Sequence, residues 1–411
     1  MKYTNITKDL NIHIAVIGLG YVGLPLLCFF SNVFDCCGFD INLNRIQELS
    51  LSKDSKRCVD IELLKSLSTA QLTSNWYDLK KYNYLIVAAP TPVDEYNKPD
   101  LRILKDICVN IGKVMTSGTT IVFESTVAPG TTEEICIPIL ENESGLQLNK
   151  GFFVGYSPER INVGDSKHTI SSVPKLISGS NDQTLSRLIS LYHTGLNCDV
   201  IPASSIKVAE ATKLYENVQR DVLIALANQY SEYCRAEGID IYEVTSHAST
   251  KWNFAEVFPG LVGGHCIGVD PYYLLERAKS KDSSLPLVEL SRKVNEEVSN
   301  KITFQLITLC ERYKSPSILV LGASYKPNTG DTRNSKALNI INSLSEHGII
   351  VELFDPLCNK DVLNQLCPKV RIVNSPLECQ CEIMAILVNH DVFSDISIPN
   401  TKHLVKLSEL L

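Results

Sequence analysis

The feature that most constrains this chain lies near its start. An unbroken apolar run, Ile12–Ile17, ends in Gly18-Leu19-Gly20-Tyr21-Val22-Gly23, and a second short run, Cys36–Ile41, carries Asp40 near its end. A β-run that stops at glycines and opens a helix predicts a parallel strand–helix–strand unit. Its continuous apolar character predicts a strand buried on both faces. GxGxxG alone is a weak signal, because glycine-rich turns are common. Placed between a strand and a helix, with a carboxylate after the next strand, it meets the needs of a dinucleotide. The glycines permit a tight turn and close backbone approach, the helix N-terminus faces the pyrophosphate, and Asp40 accepts from the ribose hydroxyls. A carboxylate there favours NAD over NADP, whose 2′-phosphate would meet a like charge.

Further runs at Tyr84–Ala89, Thr119–Phe123 and Gly151–Tyr156, separated by helix-like stretches such as Asp100–Met115, extend this sheet. A second series begins at Ser317–Leu321 and continues through Ile349–Phe354 and Ile383–Val388. Gly322 and Asp355 echo Gly18 and Asp40 without the full glycine fingerprint. Between the two series, Ser204–Ala236 contains no proline or glycine and has helical periodicity, with Gly238 beyond its end. The expected fold class is α/β, with two Rossmann-like doubly wound domains joined by a long central helix. The expected domains are 1–200, 201–305 and 306–411: a dinucleotide domain, a helical region with a cysteine loop, and a second nucleotide domain.

Composition narrows the function. Charged residues make up 21% and the net charge is −7, so no nucleic acid is expected as a partner. No apolar stretch is long enough for a membrane span, and the N-terminal segment lacks a signal-peptide core. With fourteen cysteines and no paired CxxC motifs, reduced thiols and a cytoplasmic location are expected.

Several segments carry candidate chemistry. Pro90 and Thr91 follow one strand of the first sheet and Ser125 and Thr126 another, where an α/β sheet binds its ligands. Glu159 could hold a water or act as a base and Arg160 could meet an anion, although a surface ion pair is the plainer reading. Glu210, Lys213, Asn217 and Arg220 recur at helical spacing on one face: either a solvated stripe or a row of donors for a polar substrate. A lysine there could carry a proton if burial or nearby charge lowered its pKa. In Gly260-Leu261-Val262-Gly263-Gly264-His265-Cys266-Ile267-Gly268-Val269-Asp270, four glycines surround one cysteine. Such a loop lets a ligand carbon approach the sulfur, and a helix starting after it would favour the thiolate. No further Cys/His cluster supplies zinc ligands, so no metal is expected. Beside a nicotinamide, a thiol can capture an aldehyde as a thiohemiacetal and pass it on as a thioester, giving two oxidations per substrate. Near Gly322, Tyr325, Lys326 and Arg333 supply an aromatic ring and two cations in an otherwise acidic protein.

The segments GLGYVGLPL, APTPVD, ESTVAPGTTEE, YSPERINVGD, EATKLYENVQR, PGLVGGHCIGVDPYYL and GASYKPNTGDTRNS occur in this order along nearly the whole chain. Together they resemble the UDP-glucose/GDP-mannose dehydrogenase family. The resemblance implies NAD as cofactor, a UDP-sugar as substrate, and a homodimer or higher homo-oligomer with the long helix at its interface. It implies Cys266 as nucleophile, assisted by Lys213, Asn217 and Asp270, with Glu159 and Thr126 near the same water network. For the cofactor it implies Gly18, Gly20, Tyr21, Val22, Gly23, Asp40, Arg45, Pro90, Thr91, Ser125, Thr126 and Arg333. The implied substrate set is Glu159, Arg160, Lys213, Asn217, Arg220, Phe258, Gly260, Gly263, Tyr325 and Lys326. Thr250–Phe254 and His265 look like the branch acting on UDP-N-acetylglucosamine or UDP-N-acetylgalactosamine for surface polysaccharides. UDP-glucose and UDP-N-acetylmannosamine remain alternatives, as do a two-electron hydroxyacid dehydrogenase and a non-catalytic nucleotide-sugar sensor. Two features depart from the family: only Lys251 stands near position 250, where some relatives bring an arginine from the partner subunit, and the stretch 403–411 is short for a last strand.

Overall fold

The computed structural model describes residues 12–411 except 57, 162–168, 315, 398–400 and 402. Residues 162–165 of the YSPERINVGD segment therefore lie outside the described residues. The chain divides into two compact units, one formed by 1–215 with 272–277, the other by 216–271 with 278–411.

The first unit is built on eight strands: β1 (His13–Ile17), β2 (Asp35–Phe39), β3 (Gln71–Thr73), β4 (Tyr84–Val87), β5 (Thr120–Phe123), β6 (Phe153–Tyr156), β7 (Lys175–Gly179) and β8 (Val200–Pro202). Their order is β3-β2-β1-β4-β5-β6-β7-β8, parallel except between β6 and β7. Along β1, Ala15 and Ile17 enter one apolar core while Ile14 and Val16 enter another. Both faces are covered, so the strand needs no polar alternation. Helix α1 (Gly23–Ser31) follows the glycine turn.

The second unit contains β9 (Ser317–Leu321), β10 (Ile350–Phe354), β11 (Arg371–Ile372), β12 (Ile383–Ile386) and β13 (His403–Lys406), all parallel, in the order β11-β10-β9-β12-β13. This repeats the order of the first five strands of the first unit. The short stretch after residue 402 does form a strand, pairing with β12. The expected echo is also local. The Gly18 N–H donates to the Phe39 carbonyl at 2.8 Å and that of Gly322 to Phe354 at 3.0 Å. Both glycines have positive φ, +92° and +86°. Leu19 N–H donates to Asp40 at 2.9 Å, and Ala323 N–H to Asp355 at 2.8 Å.

Strand ends differ from expectation by one or two residues where backbone turns intervene. β12 stops at Ile386 because the N–H groups of Leu387 and Val388 both turn to the Leu321 carbonyl. The long helix runs over Ile206–Glu237, about 48 Å at 1.5 Å per residue, and ends at Gly238 with φ +69°. A second long helix, Pro286–Cys310, leads into β9. Among the described residues, no helix is long and apolar enough to cross a membrane.

Candidate active site

At the glycine turn of the first unit, a Cβ on Gly23 would lie 1.9 Å from the Gly18 carbonyl oxygen, and one on Gly18 would lie 2.7 Å from that of Ala88. These two glycines are required by the fold itself. Gly20 differs, because nothing stands within 4 Å of its Cβ position. The open side of the turn is therefore at Gly20, flanked by half-buried Tyr21 and Val22. No side chain caps α1, and its first turn carries no acidic residue, which leaves the dipole's positive end for an anion.

Asp40 accepts from Leu19 N–H and, through its other oxygen, from Asn42 N–H at 2.9 Å. Arg45 is 2% exposed. Its Nε donates to the Leu19 carbonyl at 2.9 Å and a terminal nitrogen to Asp54 at 2.8 Å, so it braces the turn from behind. Thr91 Oγ1 donates to the Thr126 carbonyl and Ser125 Oγ to that of Ala89, both at 2.7 Å. These bonds tie the loops after β4 and β5, with Pro90 exposed between them. The residues present fit a bound NAD: an uncapped helix start, an open glycine, and a carboxylate after β2.

After β6, Glu159 is not part of a surface ion pair. One carboxylate oxygen accepts from the N–H groups of Arg160 and Ile161, at 2.6 and 2.8 Å, and the other from Lys175 Nζ at 3.1 Å. Burial alone would raise its pKa, but Lys175 and those N–H groups hold it below the usual carboxylate range. Lys175 also donates to Glu124 at 2.7 Å, and Tyr192 Oη donates to the other Glu124 oxygen at 2.6 Å. Burial pushes Glu124 up to about 7 against the pull of Lys175. Arg160 donates to the Pro174 carbonyl at 3.0 Å.

The row expected on the long helix is not one surface. Glu210 is fully buried and accepts from the N–H groups of Gly130, at 2.5 Å, and Thr132, at 2.9 Å, whereas Arg220 is exposed. Glu210 thus organises the loop after β5 and offers nothing to a substrate. Lys213, 8% exposed, belongs to the first unit, while Asn217, one turn on, belongs to the second.

In the second unit the cysteine loop is held from three sides. Of the fourteen free cysteines, only Cys58 and Cys266 are not buried, and burial of its thiol still pushes Cys58 up to about 12. The Cys266 carbonyl accepts from the N–H of Asp270 at 2.8 Å and of Val269 at 3.0 Å, feeding the helix Asp270–Lys279. Asp270, 3% exposed, accepts from Asn217 Nδ2 at 2.5 Å. Asn228 exchanges two hydrogen bonds with the backbone of Gly260, and Phe258 stacks on Tyr242 at 5.6 Å.

On the third side, a Cβ on Gly263 would lie 2.6 Å from the Asn334 carbonyl, and one on Gly264 2.7 Å from the Tyr325 ring. Asn334 Nδ2 donates to the Gly264 carbonyl at 3.0 Å. The cysteine loop therefore packs directly on the loop carrying Tyr325, Lys326 and Arg333. Lys326 Nζ stands 5.7 Å from the Tyr325 ring centroid, and Arg333 grips Asp331, which faces His265 at 3.9 Å. Among the described residues there is no group of three metal-ligating side chains.

Sequence reasoning missed Lys175, Asn228, Asp331, Asn334 and His390. The last is buried on Asp355 at 3.1 Å and accepts from Asn328 N–H at 2.9 Å. Lys175 had one available signal, a lysine opening the apolar run Leu176–Ile177.

Three family models match in chain order. The UDP-glucose/GDP-mannose dehydrogenase NAD binding domain covers residues 12–195, the central domain 207–297 and the UDP binding domain 319–410. The chain belongs to the UDP-glucose/GDP-mannose dehydrogenase family. As a member it is an oxidoreductase, and its cofactor is NAD. It is 41% identical to the UDP-N-acetyl-D-glucosamine 6-dehydrogenase of Pseudomonas aeruginosa over 98% of this chain and 96% of that one. It is 40% identical to the enzyme of the same name from Salmonella typhi over 84% of this chain and 82% of the other. Among solved structures, a UDP-D-ManNAc dehydrogenase from Pyrococcus horikoshii superposes with a TM-score of 0.83 at 28% identity, covering 97% of this chain and 99% of its own.

Proposed function

We propose that this chain oxidises the C6 hydroxyl of UDP-N-acetylglucosamine to the uronate in two steps, for surface-polysaccharide synthesis. The observation that carries the reading is Cys266. It is a partly accessible thiol in a glycine loop that feeds a helix, packed against the loop of Tyr325 and Lys326. The gluco configuration is supported by the 41% identity to the Pseudomonas aeruginosa enzyme.

Bound NAD supplies the hydride acceptor for both oxidations. The substrate alcohol loses a hydride and a proton to become an aldehyde. The Cys266 sulfur then adds to the aldehyde carbon, giving a thiohemiacetal. Loss of a second hydride and proton leaves a Cys266 thioester. Water attacks it, the C–S bond breaks, and carboxylate and thiol are released. The sum is one alcohol, two NAD and one water giving one carboxylate, two NADH and three protons. Asn217 holds the Asp270 carboxylate at 2.5 Å, which keeps that acceptor beside the start of the cysteine helix. Lys213 serves as the cation for developing oxyanion charge, and Asp270 handles the proton of the attacking water. Thr126 and Glu159 orient that water, while Lys326 and Tyr325 take the nucleotide-sugar side. The enzyme works in the cytoplasm as a homo-oligomer. Exposed Leu226, Tyr230 and Tyr233 on the long helix support a second copy there.

The test is stoichiometric. With each of UDP-N-acetylglucosamine, UDP-N-acetylgalactosamine, UDP-N-acetylmannosamine and UDP-glucose, NADH formed per sugar consumed is read together with kcat/KM. Two NADH per sugar with UDP-N-acetylglucosamine ranked first is expected. One NADH would point to a two-electron dehydrogenase, and none with any sugar to a sensor.

A further inference from the structure

Beneath the loop after β6 lies a charge cluster in which the mechanism above uses Glu159 but leaves Lys175 and Glu124 without a role. Lys175 opens β7 and is 3% exposed. Its ammonium meets Glu124 at 2.7 Å, Glu159 at 3.1 Å and the Pro158 carbonyl at 3.4 Å, which accounts for all three of its donors. Glu124 is held in turn by Tyr192 at 2.6 Å. The groups facing Glu159 are thus Lys175 from β7, Glu124 from the end of β5, Tyr192 from the helix Asp182–Leu196, and the Cys198 thiol, which burial keeps neutral.

Glu159 is the one member with a route outward, its side chain 11% exposed. One of its oxygens is filled by two backbone N–H groups, and the other takes Lys175. That second oxygen keeps a lone pair to which no described residue donates.

We propose that Lys175 is a positioning residue, shared with Glu124, that holds Glu159 as a fixed ionised acceptor for a substrate or water O–H. The inference rests on the dehydrogenase reading for its role in turnover, though not for the state of Glu159 itself. Held this way, Glu159 orients a hydroxyl by accepting its hydrogen bond and does not remove the proton. A carboxylate so close to a buried ammonium is too weak a base for that, and its orientation is set by three donors. Glu124 has the opposite influence. It competes for Lys175 and adds a like charge, so the cluster sets how firmly Glu159 stays ionised.

Two substitutions must therefore move the same property in opposite directions. Lys175→Met removes the cation and raises the Glu159 pKa. Glu124→Gln gives the cation to Glu159 alone and lowers it. The first readout is the infrared stretch of protonated carboxyl groups across a pH titration of the full chain. Lys175→Met should gain a component at neutral pH that disappears when Glu159→Gln is added. The second readout is the acid limb of kcat against pH. It should move up by about 1 unit or more in Lys175→Met, return toward wild type in Lys175→Arg, and move down in Glu124→Gln.

If Lys175→Met does not fold, Glu124→Gln still decides, since an unmoved or upward-moved acid limb overturns the proposal. Absence of the Glu159-dependent infrared component in folded Lys175→Met also overturns it. An infrared shift with an unchanged pH profile overturns the positioning role in turnover. Absence of turnover with any UDP-sugar overturns the dehydrogenase reading, while the infrared result still judges the cluster.

Discussion

Gly20→Ala should weaken NAD binding without weakening the fold. The Cβ position of Gly20 has no atom within 4 Å, and its backbone is outside the left-handed region, so the free protein accommodates a methyl. Removing a glycine from the unfolded ensemble should even stabilise the chain by about 0.4–1 kcal/mol. The same methyl occupies the space the pyrophosphate needs for close approach to the backbone. Forcing an extra methyl group into a packed contact costs about 1–3 kcal/mol, which is about 5- to 150-fold in Kd. Gly23→Ala is the control of opposite character. Its Cβ would fall 1.9 Å from the Gly18 oxygen, backbone against backbone, so it must lose stability as well as binding. Calorimetric titration with NAD and thermal unfolding of both variants separate the two effects. A Gly20→Ala protein that binds NAD as tightly as wild type would refute the reasoning, as would one destabilised as much as Gly23→Ala.

Further outcomes follow from polar contacts within each unit. Arg292→Met leaves Asp221 fully buried without its cation, and should cost about 3–5 kcal/mol in denaturant unfolding. By contrast, Lys301→Met, which breaks an exposed pair with Glu232, should cost less than about 1 kcal/mol. Burial pushes Glu210 up to about 7 from its ordinary 4.5, despite the N–H groups of Thr132 and Gly130. The folded chain therefore binds a proton there that the unfolded chain does not. This contribution to stability is full below about 4.5 and is lost as pH rises through about 7. Stability of Glu210→Gln should consequently fall less across that window, as read by unfolding at several pH values. Asn334→Ala removes the side-chain bond to the Gly264 carbonyl but keeps the backbone bond, so melting should change little. Alkylation of Cys266 by iodoacetamide should become several-fold faster as its loop loosens, and an unchanged rate would sink that assignment.

Much of this molecule is legible in its sequence. The first glycine turn and Asp40 were visible because the fold needs a glycine at φ +92° and a close backbone approach at Gly23. The second lobe was visible from Gly322 and Asp355, although its glycine pattern is incomplete. The reason is now plain. Asp355 carries the N–H groups of Ala323, Ser324, Leu357 and Cys358 along with His390, and is closed to solvent. Cys266 stood out from thirteen other cysteines by its glycine neighbours alone. Periodicity places Glu210, Lys213, Asn217 and Arg220 on one helix face but is silent on what covers it, and Glu210 is buried where Arg220 is exposed.

Sequence by itself determined the apolar strands on either side of the long helix, the two repeated lobes and the family, since these follow from local patterns: apolar runs, turn glycines and short motifs. Only the tertiary structure decided which polar groups are buried together. Lys175 and Glu124 are 51 residues apart, Asn228 and Asn295 67, and Asp355 and His390 35. No local pattern encodes such pairs. Each arises when neighbouring strands or crossing helices bring together polar groups that burial would otherwise leave without partners.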